Sequence, residues 1–311
     1  MNDDNALRRP TSRRDFLKIS STLAAATAFT PFGAGLPRAQ AAAGNKRTLK
    51  KAVHLGMIAG DLSVLDKFKL AKDLGFDGLE VDSPGEPKDE ILKACEITGL
   101  GISDVVDSVH WKDTLSDPSP AVRARGVEGL KTALRDCKDF QCSSVLLVPG
   151  VVSKTVSYAD AYTRSQAEIK KVIPLAHELG VKIAIENVWN QFLLSPLEAA
   201  RYVDECQSAA VGWHFDVGNI VNYGWPEQWI RILNKRIAKV HVKEFSRSKR
   251  DKEGLWKGFE VELLEGDCDW PAVMQALDET GYQGWLIAEI AGGDAKRLQN
   301  IAERMNRILA S

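Results

Sequence analysis

The chain has 311 residues, of which 44% are apolar and 27% charged, proportions ordinary for a soluble globular protein. Its 41 lysines and arginines against 42 aspartates and glutamates leave a net charge of −1, which gives no basis for binding nucleic acid or an anionic membrane surface. Five cysteines without a CxxC pair read as mostly buried thiols, with room for one bridge between Cys137 and Cys142, which are close in sequence.

In chain order, the first signal is not fold. Ser12-Arg13-Arg14-Asp15-Phe16-Leu17-Lys18 is a twin-arginine export pattern. A weakly apolar Ala/Thr-rich stretch from Ile19 to Leu36 follows, and Ala39-Gln40-Ala41 offers a small-residue cleavage site. Pro31, Gly33 and Gly35 break the stretch, so it predicts no transmembrane span. Residues 1–41 are expected to be a twin-arginine signal peptide, and the chain to be periplasmic or otherwise extracytoplasmic. They carry six basic and three acidic residues, so their removal leaves a net charge of −4.

From Leu49 onward, short β-branched runs alternate with amphipathic stretches. Strands are predicted at Val53–Ile58, Gly78–Asp82, Gly101–Asp107, Ser144–Pro149, Val181–Val188, Val211–Val217, Ile237–Phe245 and Trp285–Ile290. Helices are predicted at Leu62–Leu74, Lys88–Thr98, Ala121–Phe140, Tyr158–Leu179, Pro196–Gln207, Pro226–Lys235, Trp270–Thr280 and Asp294–Ala310. Gly75, Gly99, Gly180 and Gly281 follow helix ends, where a left-handed residue is wanted, and Ser195-Pro196-Leu197-Glu198 reads as a capped start. Eight such units predict a (β/α)8 TIM barrel over residues 49–311 as one domain. A doubly wound open sheet is the alternative, but no GxGxxG follows the first strand. One insertion stands out, Ser246–Cys268, opening with Arg247-Ser248-Lys249-Arg250 and containing Trp256 and Phe259. It reads either as a solvated loop or as a lid over the site.

The last four strands each end in a potential metal ligand: Glu186, Asp216, His241 and Glu289. A carboxylate in a barrel mouth costs several kcal/mol unless paired or coordinated, so three of them with an imidazole call for a cation between them. Oxygen-rich ligation with one histidine and no cysteine favours Mn2+, Mg2+ or Co2+, and admits Zn2+, without choosing among them; Mn2+ is the expected ion. Such an ion suits sugar chemistry, where it stabilises the charge left when a C–H beside a ketone is deprotonated. Glu186 and Glu289 are then the candidates for taking the proton and returning it, in either order.

These strand ends resemble the xylose isomerase-like barrel superfamily, the sugar phosphate isomerases and epimerases. The likeness is greatest to L-ribulose- or L-xylulose-5-phosphate 3-epimerases, and extends to ketose 3-epimerases and hydroxypyruvate isomerases. Gly75-Phe76-Asp77-Gly78-Leu79-Glu80-Val81, Ile185-Glu186-Asn187, Phe215-Asp216-Val217-Gly218-Asn219 and Val240-His241-Val242-Lys243 carry it. Gly266-Asp267-Cys268-Asp269-Trp270 and the run from Gly281 to Glu289 extend it. The resemblance implies that Glu186, Asp216, His241 and Glu289 are the metal ligands, with the two glutamates doubling as acid and base. Ketose 3-epimerases commonly show Asp-x-x-His on strand six, whereas Asn219 stands here, as in the pentulose-phosphate enzymes; Glu244 replaces an Asp often found after the strand-seven lysine. Phosphorylated pentoses are cytoplasmic, so an exported relative is expected to act on an unphosphorylated sugar or sugar derivative.

Four further residues are candidate substrate contacts: Glu80, His110, Asn219 and Lys243. Trp111 accompanies His110 at the mouth, and Trp189, Trp225 and Trp256 fall in loops suited to sugar stacking. His54 reads as a core histidine, and His177 and His214 attract no role. The expected activity is a divalent-metal-dependent isomerase or epimerase on a small carbohydrate, acting through an enediolate. Two alternatives are a 3-keto-glycoside lyase using the same metal and base, and a sugar-binding barrel without turnover. A homo-oligomer is left open.

Overall fold

The structure, a computed structural model, describes residues 48–311. The twin-arginine pattern and the expected signal peptide over residues 1–41 lie outside the described residues. Eight parallel strands close in sequence order: β1 (Leu49–His54), β2 (Gly78–Ser83), β3 (Gly101–Asp107), β4 (Ser144–Leu147), β5 (Lys182–Glu186), β6 (Val211–Asp216), β7 (Ile237–Val242) and β8 (Gly284–Ala288). Closure comes from β1 against β8, with Leu49 opposite Gly284 and Val53 opposite Ala288. The barrel is ringed by α1 (Val64–Asp73), α2 (Lys88–Thr98), α3 (Pro120–Asp139), α4 (Tyr158–Leu179), α5 (Pro196–Asp204), α7 (Pro226–Leu233), α9 (Trp270–Thr280) and α10 (Ala295–Leu309). Two shorter helices were not anticipated: α6 (Val217–Val221), straight after β6, and α8 (Arg247–Glu253), in the insertion.

Strands buried on both faces are rich in apolar side chains, as in β4 and β6, where every residue is buried and only Ser144, His214 and Asp216 carry polar side chains. Ser63, Ser157, Ser195 and Asp294 cap helices through side-chain oxygens, and Gly99, Gly180 and Gly281 take left-handed conformations at C-termini. A Cβ at Gly78 would sit 2.4 Å from the Gly101 carbonyl and 2.7 Å from the Trp285 ring, so only glycine lets β2, β3 and that indole meet.

The first strand lies earlier than predicted. Lys50 and Lys51 hide it from a hydrophobicity pattern, yet Lys51 is buried, with its ammonium 2.8 Å from Asn306 Oδ1 and 5.2 Å from the Phe76 ring centre. Residues Leu55–Met57, expected to continue the strand, form a 3-10 turn. Cys137 and Cys142 form a disulfide, while Cys95, Cys206 and Cys268 are free. No described helix is long and apolar enough to cross a membrane.

Candidate active site

The four predicted ligands converge. Glu186 closes β5, Asp216 closes β6 opposite His241 on β7, and Glu289 follows β8 with its N–H donating to the Val242 carbonyl at 3.2 Å. One donor atom from each of Glu186, Asp216, His241 and Glu289 lies within 4.8 Å of the others. His241 Nδ1 faces the carboxylates, 3.2 Å from Glu186 Oε1, 3.1 Å from Glu289 Oε2 and 4.0 Å from Asp216 Oδ2. Asp216 and His241 are buried, whereas the Glu289 side chain is 38% exposed and opens to the cavity.

The surroundings hold these groups in place. Asp216 Oδ1 accepts the Asn219 N–H at 2.8 Å and so caps α6, which explains why the chain turns helical immediately after β6. Asn187 Nδ2 donates to the Asp216 carbonyl, Asn187 Oδ1 accepts from Trp213 Nε1, and Asn219 Nδ2 donates to the Asn187 carbonyl at 3.0 Å. Asn219, expected to touch substrate, therefore spends its amide on fixing the strand ends, although it borders the cavity. Glu80 is likewise committed. Fully buried, it lies 2.9 Å from His241 Nε2, on the far side of the ring from the other carboxylates. Its Oε1 orients the imidazole, while its Oε2 has no hydrogen-bond partner and the residue borders the cavity.

Electrostatically the site is short of positive charge. Four carboxylates (Glu80, Glu186, Asp216, Glu289) surround one imidazole and one ammonium, that of Lys243, 2.9 Å from Asp216 Oδ2 and 2.6 Å from Glu289 Oε2. Burial pushes Asp216 and Glu80 up to about 7, offset in part by Lys243 for the first and His241 for the second. Burial opposes charge on His241, but Glu80, Glu289 and Glu186 outweigh it and hold its pKa well above the ordinary value. Burial likewise opposes charge on Glu289, yet Lys243 and His241 keep it well below the usual carboxylate range. Asp216 Oδ2 and Glu289 Oε2 meet Lys243, and Glu289 Oε2 also His241, as ion-pair contacts without a well-directed hydrogen bond. Carboxylate oxygens gathered around a common centre, with an imidazole nitrogen among them, are the donor set a divalent cation fits.

Above the cluster lies a cavity of about 880 Å3. His110 and Trp111 border it, as do Lys243, Trp189, Trp256 and Phe259. Trp225 does not; it packs under the Arg247 guanidinium at 5.5 Å. His110 is buried with its Nδ1 accepting the Val148 N–H at 3.3 Å, and burial pushes its pKa down to about 4. It is a neutral ring carrying its proton on Nε2, a donor.

Three further polar residues, assigned no functional role from sequence, lie near the site. His54, expected in the core, borders the cavity and lies 3.5 Å from Asp82 Oδ2. His214 and Asp104, both fully buried, lie 3.2 Å apart directly behind His241, whose ring centre is 4.0 Å from that of His214. The signal available was polar residues mid-strand in a barrel interior, where apolar ones are expected.

The insertion is a fixed structure over the mouth. Arg247 donates to the carbonyls of Val221 and Gly224 at 2.9 Å each, and Arg250 to the carbonyl and side chain of Asn222. Glu244 accepts from Leu264 N, Cys268 N and Trp270 Nε1, fastening the far end. At Gly258 a Cβ would come within 2.4 Å of the Phe245 ring, so glycine lets the lid lie down.

The model of the xylose isomerase-like TIM barrel family matches residues 68–310. The chain belongs to this family. L-ribulose-5-phosphate 3-epimerase of Salmonella paratyphi A is 24% identical over 259 residues, covering 78% of this chain and 88% of that protein. Among solved structures, a D-tagatose 3-epimerase-like protein aligns with TM-score 0.70 at 20% identity, over 83% of this chain and 98% of the other. The 3-keto-D-glucoside 4-epimerase of E. coli aligns with TM-score 0.69 at 16% identity, over 86% and 100%. Relatives and structural neighbours of this xylose isomerase-like barrel are thus sugar epimerases.

Proposed function

We propose that the protein is a divalent-metal-dependent carbohydrate isomerase or epimerase acting through an enediolate on an unphosphorylated ketose or sugar derivative. The observation that carries this reading is the convergence of Glu186, Asp216, His241 and Glu289 within 4.8 Å, at the floor of the cavity. These four would hold the ion, which Mn2+ suits best and which would supply electrostatic stabilisation of the oxyanion produced by deprotonation. One of Glu186 and Glu289 removes the proton from the carbon beside the carbonyl. The C–H pair becomes the C=C of the enediolate and the negative charge moves to the carbonyl oxygen. The other glutamic acid delivers a proton to the opposite face for epimerisation, or to the neighbouring carbon for isomerisation. Lys243 neutralises Asp216 and Glu289 between turnovers, and the Nε2–H of His110 is available to a substrate oxygen.

Export through residues 1–41 to an extracytoplasmic site belongs to the same reading. The test is product analysis by proton NMR, with Mn2+-loaded protein and a panel of free ketoses, pentulose phosphates and 3-keto-glycosides. A new stereoisomer or positional isomer from an unphosphorylated member supports the proposal. Loss of the aglycone from a 3-keto-glycoside, with every ketose untouched, moves the assignment to a lyase. Turnover confined to the pentulose phosphates overturns the substrate class.

A further inference from the structure

The cavity divides chemically. Its floor is the ionic cluster, while its rim carries Trp189, Trp256 and Phe259 on the lid side and Trp111 beside His110. Trp189 stands 4.9 Å from Trp256 and 4.8 Å from Phe259 between ring centres, and Phe259 packs on Phe245 at 4.8 Å. Trp256 is 67% exposed and Trp111 53% exposed, an unfavourable use of large apolar surface unless something covers it. The wall is preformed, because the arginine bonds to the Val221–Gly224 carbonyls and the close seat of Gly258 on Phe245 fix the lid.

Charge narrows the occupant. Glu80, Asp82, Glu186, Glu260 and Glu289 border the cavity; among the described residues that line it, Lys243 already lies against Asp216 and Glu289, and His54 lies 3.5 Å from Asp82. A phosphate dianion brought here meets carboxylates, and the cations among the described lining residues, Lys243 and His54, are already paired with Asp216, Glu289 and Asp82. Size adds to this: about 880 Å3 is the upper part of the range that buries drug-sized ligands, far more than one free ketose fills.

We propose that the aromatic rim is a subsite for an uncharged ring attached to the reacting sugar, so that the substrate is a glycoside bearing a ketone rather than a free or phosphorylated ketose. Stacking of a flat ring on Trp256 would cover the exposed indole, and the sugar's carbonyl end would reach the cluster below. The ring is an aryl group or a second sugar, both of which present an apolar face. The inference rests on the proposed function for the inner half of the cavity only.

Calorimetric binding decides it without turnover, on Mn2+-loaded and on metal-stripped protein. The probes are the methyl, 4-nitrophenyl and 4-O-linked glucosyl derivatives of 3-keto-β-D-glucopyranoside, and L-ribulose 5-phosphate. At least one ring-bearing probe should bind about fivefold or more tighter than the methyl glycoside, as one aromatic contact provides. Trp256→Ala should erase that preference and leave methyl glycoside binding unchanged, while Trp256→Tyr, which keeps a flat ring, should retain it. The better of the two ring probes identifies the occupant. Equal affinity for methyl and ring-bearing probes, an equal loss of both in Trp256→Ala, or tighter binding of the phosphate overturns the proposal. Ring preference in a protein that turns over none of the sugars would leave the subsite standing and the catalytic reading fallen.

Discussion

Glu80→Gln probes the site through a residue that does not face the cation. The Glu80 carboxylate lies 2.9 Å from His241 Nε2 and is fully buried, while His241 Nδ1 points at the other carboxylates. For Nδ1 to ligate an ion, the ring must be neutral with its proton on Nε2, donated to Glu80; the carboxylate fixes that tautomer and raises the basicity of Nδ1. Glutamine keeps the shape and loses the charge. Metal affinity should fall about 10- to 100-fold, or about 1.4–2.7 kcal/mol. Calorimetric titration of Mn2+ into metal-stripped protein at pH 7.5 measures it. Metal affinity unchanged within twofold, with an intact circular dichroism spectrum, would refute the assigned orientation of His241.

Other expectations follow from the same geometry. Lys243→Met leaves Asp216 and Glu289 without their counter-charge and should lower metal-free stability by roughly 3 kcal/mol, at the low end for a broken buried pair because Asp216 can take up a proton and Glu289 is partly exposed. Thermal melts should show Mn2+ restoring more of that stability in the variant than it adds to the unaltered protein. His110, at about 4 folded against 6.5 ordinarily, contributes stability that is complete above pH 6.5 and lost as pH falls toward 4, because the unfolded chain binds the extra proton. His110→Gln should flatten the loss between those values by up to about 3 kcal/mol, read by urea unfolding at pH 7 and pH 4.5. Replacing Arg13 and Arg14 together by lysine should retain the protein in the cytoplasmic fraction; unchanged export would remove the twin-arginine assignment.

Local chemistry made much of this molecule legible in its sequence. Strand-end acids such as Glu186 and Asp216, and helix-ending glycines such as Gly180 and Gly281, announce themselves by what they are and where their neighbours place them. Direction and long-range pairing do not. Glu80 stands at a strand position that could serve substrate, but only barrel closure brings it within 2.9 Å of a histidine 161 residues away. The same closure sets Asp104 beside His214 behind the cluster, a pairing invisible in either strand alone. Strand β1 was displaced because lysine stems bury like aliphatic chains while scoring as polar. The Ser246–Cys268 insertion read as loop or lid with equal force, since its arginines find their carbonyl partners at Val221–Gly224, outside the segment.

The central claim is that four side chains hold one divalent ion whose glutamate ligands move a substrate proton. Entry of solvent deuterium into substrate, followed by NMR in D2O while Mn2+ is titrated into metal-stripped protein, tests it most directly. The account predicts exchange at the carbon beside the carbonyl, rising with metal to one equivalent per chain, and abolished in folded Glu186→Gln and Glu289→Gln. Exchange that needs no metal, or that both variants carry out at the full rate, would contradict it.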